Sequence, residues 1–180
     1  MQPCLYPFTS KLIDMPSTLP VAKQLILHSK LFINVLDGIT DAQAEERINN
    51  QTNHLKWIAG HLTNIRYNIS TMAGVPKNFP FADKYVDQTQ PPPFNRKLNE
   101  TIVYPTIEEL KACWKEISPI FTNAITNLTE EQLAIQMPFN IPTGNSFFDA
   151  LSFLGSHEAY HIGQMSTIRR FLGLSAMSYM

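Results

Sequence analysis

The chain has 180 residues, with 14 Lys+Arg against 15 Asp+Glu and a formal net charge of −1. That length suits a single domain over residues 1–180 with a substantial core, and the balanced charge excludes the basic excess that nucleic acid or an anionic membrane surface would demand, so small molecules or protein are the expected partners. Cys4 and Cys113 have no metal-type spacing and make no disulfide framework, Met1 to Pro20 is broken by polar residues and proline unlike a signal peptide, and no stretch approaches the ~20 apolar residues of a bilayer span, which together fit a cytoplasmic protein.

Four long helices are expected from apolar periodicity, and no segment alternates convincingly at period two, so the chain reads as all-α. The first runs from about Thr18 to Leu36, with Val21, Leu25, Phe32, Val35 and Leu36 on one side and Gly38 as its stop. A short polar turn follows from Thr40 to Glu46. The second helix begins after Asn53, read as its N-cap, and carries Leu55, Ile58, Leu62, Ile65, Ile69 and Met72 up to Gly74. The third has the clearest start: Thr106 with Glu109 three residues on is a capping box, and Leu110, Trp114, Ile117, Phe121 and Ile125 follow at helical spacing. Pro119 is expected to kink or divide it. The fourth is expected from near Asn145 to Arg169 and Arg170, basic residues suited to a helix C-terminus, with Gly173 beyond.

Between helices two and three lie about thirty residues, Val75 to Tyr104, rich in proline and aromatics, including Pro91-Pro92-Pro93, Phe79, Phe81, Tyr85 and Phe94. A structureless loop of that length is uncommon in a compact domain, so this crossover is expected to run over the bundle with a short helix of its own. It either walls one side of a pocket or simply covers apolar surface.

Histidines carry the chemistry. His157 and His161 are four apart on helix four, one above the other, and read as part of the stripe formed by Phe147, Ala150, Leu151, Leu154, Met165, Ile168 and Leu172. Unpartnered imidazoles there would carry a desolvation cost that a bound cation removes; the competing reading is a pair of hydrogen-bonded core histidines. His61 on helix two is the third candidate ligand, with Gly60 beside it permitting a close helix approach. Three imidazoles leave positions open for water or substrate, the layout of a catalytic site for a divalent ion, zinc or nickel first. His28 could line the pocket but is not counted as a ligand, and His54 is read as a cap or a solvent-facing residue. Asn64, Asp149 and Tyr160 are candidate outer partners for the ring N–H groups, while Trp57, Tyr67 and Trp114 read first as core aromatics.

His157-Glu158-Ala159-Tyr160-His161 also fits the H-E-x-x-H pattern of zinc proteases, in which the glutamate serves as general base. From Ile162 to Met180 there is no Asp, Glu or His to complete such a site, so the third ligand must lie upstream. Glu158 is the one candidate catalytic base. Adjacent helical residues point about 100° apart, which favours a solvated or ion-paired glutamate over that role.

Trp57-Ile58-Ala59-Gly60-His61-Leu62, followed about a hundred residues later by His157-Glu158-Ala159-Tyr160-His161-Ile162-Gly163-Gln164, resembles the DinB/YfiT-like superfamily of metalloenzymes over most of the chain. The resemblance implies a four-helix bundle with a long crossover between helices two and three, a divalent ion held by His61, His157 and His161, and a homodimer. It also implies a thiol-dependent S-transferase, in which the metal activates a low-molecular-weight thiol toward an electrophilic substrate. A metal-dependent hydrolase using water, and a non-catalytic metal- or ligand-binding bundle, are the alternatives.

Overall fold

The computed structural model describes residues 18–86 and 97–179. The N-terminal reading up to residue 17, Cys4, and the crossover's Pro91-Pro92-Pro93 with Phe94 lie outside the described residues.

Helix α1 spans Leu19–Val35, with Pro20 in its first turn where a missing N–H costs nothing. Helix α2 spans Leu55–Met72. Its N-cap is His54, whose side chain accepts from the Trp57 N–H, so the cap lies one residue later than the expected Asn53. A four-residue helix α3, Ala82–Tyr85, interrupts the crossover. Helix α4, Ile107–Thr126, starts on the Thr106/Glu109 capping box and runs unbroken through Pro119. Pro119 does not divide it because the proline and Lys115, whose carbonyl it leaves free, both sit on the exposed face, where water can take the bond.

After a short helix α5, Glu130–Leu133, the chain departs from an all-helical path. Strand β1, Gln136–Ile141, pairs antiparallel with β2, Gly144–Ser146, across an irregular register. Met137, Phe139 and Ile141 point inward while Gln136, Pro138 and Asn140 are exposed, so a period-two segment is present that the sequence reading passed over. Gly144, at φ +144, turns the hairpin where an added Cβ would strike the Asp149 carboxylate. Helix α6, Phe147–Phe171, then starts two residues later than expected, because Asn145 is spent in β2 and Ser146 caps the helix in a box with Asp149.

The four long helices form the bundle: α1 and α2 each pack against both α4 and α6. Phe32 stacks on Trp114 at 4.0 Å between ring centres, where α1 meets α4. No helix among the described residues is long and apolar enough to cross a membrane.

The short helix α3 of the crossover packs on α2. Tyr85 is buried, and its hydroxyl donates to the Lys56 carbonyl at 3.2 Å. Its ring occupies the space beside Gly60, where a Cβ would come within 1.9 Å of it. Gly60 therefore admits an aromatic ring from α3 in the crossover, not the close approach of another long helix of the bundle.

Candidate metal centre

The centre of the buried stripe on α6 is not the histidine pair. Leu154, Glu158, Ile162 and Met165 are the buried positions, at spacings of four, four and three, whereas His157 and His161 flank them half-buried. Glu158 is fully buried rather than solvated, and its two oxygens are taken by Arg66 of α2 and His28 of α1. Burial alone would raise its pKa; the Arg66 guanidinium and the hydrogen bonds from His28 and Arg66 outweigh that and hold the carboxyl below its ordinary range. A carboxylate so engaged has no free oxygen lone pair directed to a substrate, which leaves the general-base role without support.

His157 and His161, on the flank of α6, meet His61 of α2. The Nε2 atoms of His61 and His157 are 3.3 Å apart and those of His157 and His161 3.2 Å. All three ligand atoms lie within 4.8 Å of one another, with His61 buried and the other two half-buried. Two nitrogens bonded at about 2.0–2.1 Å to one tetrahedral zinc ion stand about 3.3–3.4 Å apart, so the first two separations fit a shared cation.

The rings are held neutral. Burial first, then the neighbouring His157 and His161, lowers the pKa of His61 to about 3. Burial and His161 lower His157 to about 4 against the opposing pull of Glu158. His161 is lowered by burial, partly offset by its bond to Gln164. Near neutral pH each ring therefore keeps a lone pair for a cation.

The surroundings fix the rings. Trp57, one turn before His61, stacks on it at 4.8 Å and 11°. His161 Nδ1 lies 2.7 Å from Gln164 Oε1, so it is Nδ1–H that donates there and Nε2 that carries the lone pair; Gln164 Nε2 in turn donates to the Tyr160 hydroxyl at 2.9 Å. Of the expected outer partners, Tyr160 acts one step removed through Gln164, and Asp149 is committed to the cap of α6. Asn64 is buried, and neither atom of its amide has a partner among the described residues.

His28 is a buried partner of Glu158 and stands outside the triad. The sequence reading gave no site role to Gln164 or Arg66; Trp57 is the buried core aromatic it was read as, and its stacking on His61 was not foreseen. Gln164 was accessible as the residue three after His161, on the same face; Arg66 had only its place between Leu62 and Ser70 on the buried side of α2.

A family model described as the DinB superfamily matches residues 24–165, a span that includes all three histidines. Three solved structures share the fold. A conserved protein from Enterococcus faecalis superposes with a TM-score of 0.68 at 15% identity, covering 88% of this chain and 98% of that one. A DinB-like protein of Bacillus subtilis, YjoA, gives 0.60 at 16% identity, covering 88% and 96%. YfiT from Bacillus subtilis, described as a probable metal-dependent hydrolase with an unusual four-helix bundle topology, gives 0.58 at 17% identity, covering 95% of each chain. No curated protein matches the chain.

Proposed function

Since the chain belongs to the DinB superfamily, we propose that it is a divalent-metal-dependent enzyme that transfers a low-molecular-weight thiol to a small electrophile, with His61, His157 and His161 as the metal ligands. The observation that carries the metal reading is the convergence of three neutral imidazoles at separations suited to one ion. A divalent ion of the zinc or nickel type, when bound, supplies Lewis acidity that lets a thiol or water deprotonate near neutral pH.

The residues of the chain do the rest. Trp57 sets the plane of His61, Gln164 sets the tautomer of His161, and His157 and His161 are only half-buried, so both rings are partly exposed to solvent. Thiol transfer is favoured over hydrolysis by the position of Glu158. The H-E-x-x-H glutamate is withdrawn into an ion pair, and among the described residues the metal-capable cluster contains no carboxylate to serve as base. A thiol, with a pKa of about 8.5, needs less help than water to lose its proton.

Hydrolysis is the second reading, supported by the description of YfiT. Zinc-loaded protein incubated with a chromogenic haloarene electrophile, with and without an added low-molecular-weight thiol, and separately with activated esters, tests both. Turnover of the electrophile only with thiol is the expected result. Ester turnover without thiol would transfer the proposal to hydrolysis, and no turnover of either kind despite bound zinc would leave a non-catalytic metal-binding bundle.

A further inference from the structure

Two ligand candidates in the triad each have a carboxamide side chain three residues on, and the two carboxamides differ in hydrogen-bond state. His161 is followed three residues later by Gln164, whose amide oxygen accepts from its Nδ1. His61 is followed three residues later by Asn64, yet His61 Nδ1 and both polar atoms of the Asn64 amide are buried and without a partner among the described residues. Helical side chains lean toward the N-terminus, so the residue at i+3 reaches back over the residue at i. Asn64 thus stands on the same helix face as His61, within a turn of it. Buried polar groups are rarely left orphaned, and finding both halves of a possible bond unmade on one helix face marks a contact completed in another state of the site.

Resting on the metal reading above, we infer that Asn64 is a positioning residue whose amide oxygen accepts from His61 Nδ1–H when His61 Nε2 binds a divalent ion. A cation on Nε2 fixes the ring proton on Nδ1 and strengthens its demand for an acceptor. Trp57 cannot meet that demand. It lies flat against the ring, and its indole nitrogen, itself unpartnered, is a donor only. The buried amide of Asn64, three residues on, offers an acceptor.

The test measures zinc affinity by competition with a chromophoric chelator, beside the melting temperature of the metal-free protein, for wild type and the Asn64→Leu, Asn64→Ala and Asn64→Asp variants. Asn64→Leu and Asn64→Ala are expected to bind zinc about 10–100-fold more weakly. Metal-free Asn64→Leu should melt no lower than wild type, because two orphaned polar atoms are removed, and Asn64→Asp, which keeps an acceptor, should retain affinity within a few-fold. A slowly exchanging His61 Nδ1–H resonance should be present in zinc-loaded wild type and absent from Asn64→Ala. Equal zinc affinity in wild type, Asn64→Leu and Asn64→Ala would overturn the inference and leave the metal site standing, whereas a wild type that binds no divalent ion would overturn both.

Discussion

Arg66 of α2 and Glu158 of α6 meet as a two-pronged ion pair with both side chains fully buried, Nε to Oε1 at 2.9 Å and Nη2 to Oε2 at 2.5 Å. The remaining guanidinium protons reach Ser29 Oγ and the Leu25 carbonyl on α1 and Ser118 Oγ on α4, so all five donors are used. The guanidinium also lies 3.7 Å from the centre of the Trp114 ring. One side chain thus ties the four long helices together at the level of the metal candidates. Removing one charge leaves the other buried and uncompensated, so Glu158→Gln or Arg66→Met should each cost about 3–5 kcal/mol in urea unfolding. The double Arg66→Met/Glu158→Gln variant should lose well under the sum of the two. Additive losses would mean that the two residues act independently.

The triad and the core pair separate by what they do to metal content. His157→Ala or His161→Ala should abolish stoichiometric zinc or nickel by elemental analysis, at a stability change within about 1–2 kcal/mol, because both rings are half-buried at the edge of the stripe. His28→Ala should behave in the opposite way. It removes a partner from a buried Glu158 oxygen, 3.2 Å away, and should cost roughly 1–3 kcal/mol while metal content stays near wild type. Full metal content in both triad variants would refute the ligand assignment.

What the sequence disclosed follows from the range of the interactions involved. The Thr106/Glu109 box, the Gly38 stop and the helical spacing of His157 and His161 are set within one turn of chain, and each stands where local rules put it. The hairpin did not declare itself because Pro138 and the brevity of β2 hide a strand, though Met137, Phe139 and Ile141 alternate. Glu158 fell on the buried stripe by simple counting from Leu154 and Ile162. Its offset of about 100° from His157 pointed to a solvated or ion-paired glutamate; it is ion-paired, and the arginine that neutralises it stands 92 positions away on another helix. Pairings of that span, like Gly60 with the Tyr85 ring, depend on which helices become neighbours, and periodicity alone does not supply that.

Gly60→Ala isolates the seating of the crossover. The new methyl would stand 1.9 Å from the Tyr85 ring, which is buried and bonded through its hydroxyl to Lys56, so the ring must leave its place. Overpacking of this kind costs about 1–3 kcal/mol. Tyr85→Ala alone should also destabilise, by about 3–5 kcal/mol through the lost ring. In the double variant the methyl has room, so the loss should be no greater than for Tyr85→Ala alone. A Gly60→Ala protein as stable as wild type would show that the ring does not need that space.

His54 ties stability to pH through a cap rather than through the triad. Its Nδ1 accepts from the Trp57 N–H at 3.0 Å, which requires the neutral ring. Burial lowers its pKa to about 4, Lys56 and Arg47 add to the lowering, and Glu45 and a backbone hydrogen bond oppose it. The folded pKa lies below the unfolded value of about 6.5, so the neutral ring favours the fold: its contribution is complete above pH 6.5, shrinks as pH falls, and is lost by about pH 4. The loss across that window is on the order of 3 kcal/mol. His54→Asn keeps a side-chain acceptor for the cap and cannot titrate. Urea unfolding of the metal-free proteins between pH 7 and 4 should therefore give a shallower fall for His54→Asn than for wild type, the triad contributing equally to both. Parallel curves would place the acid sensitivity elsewhere and reduce His54 to a cap without a charge to manage.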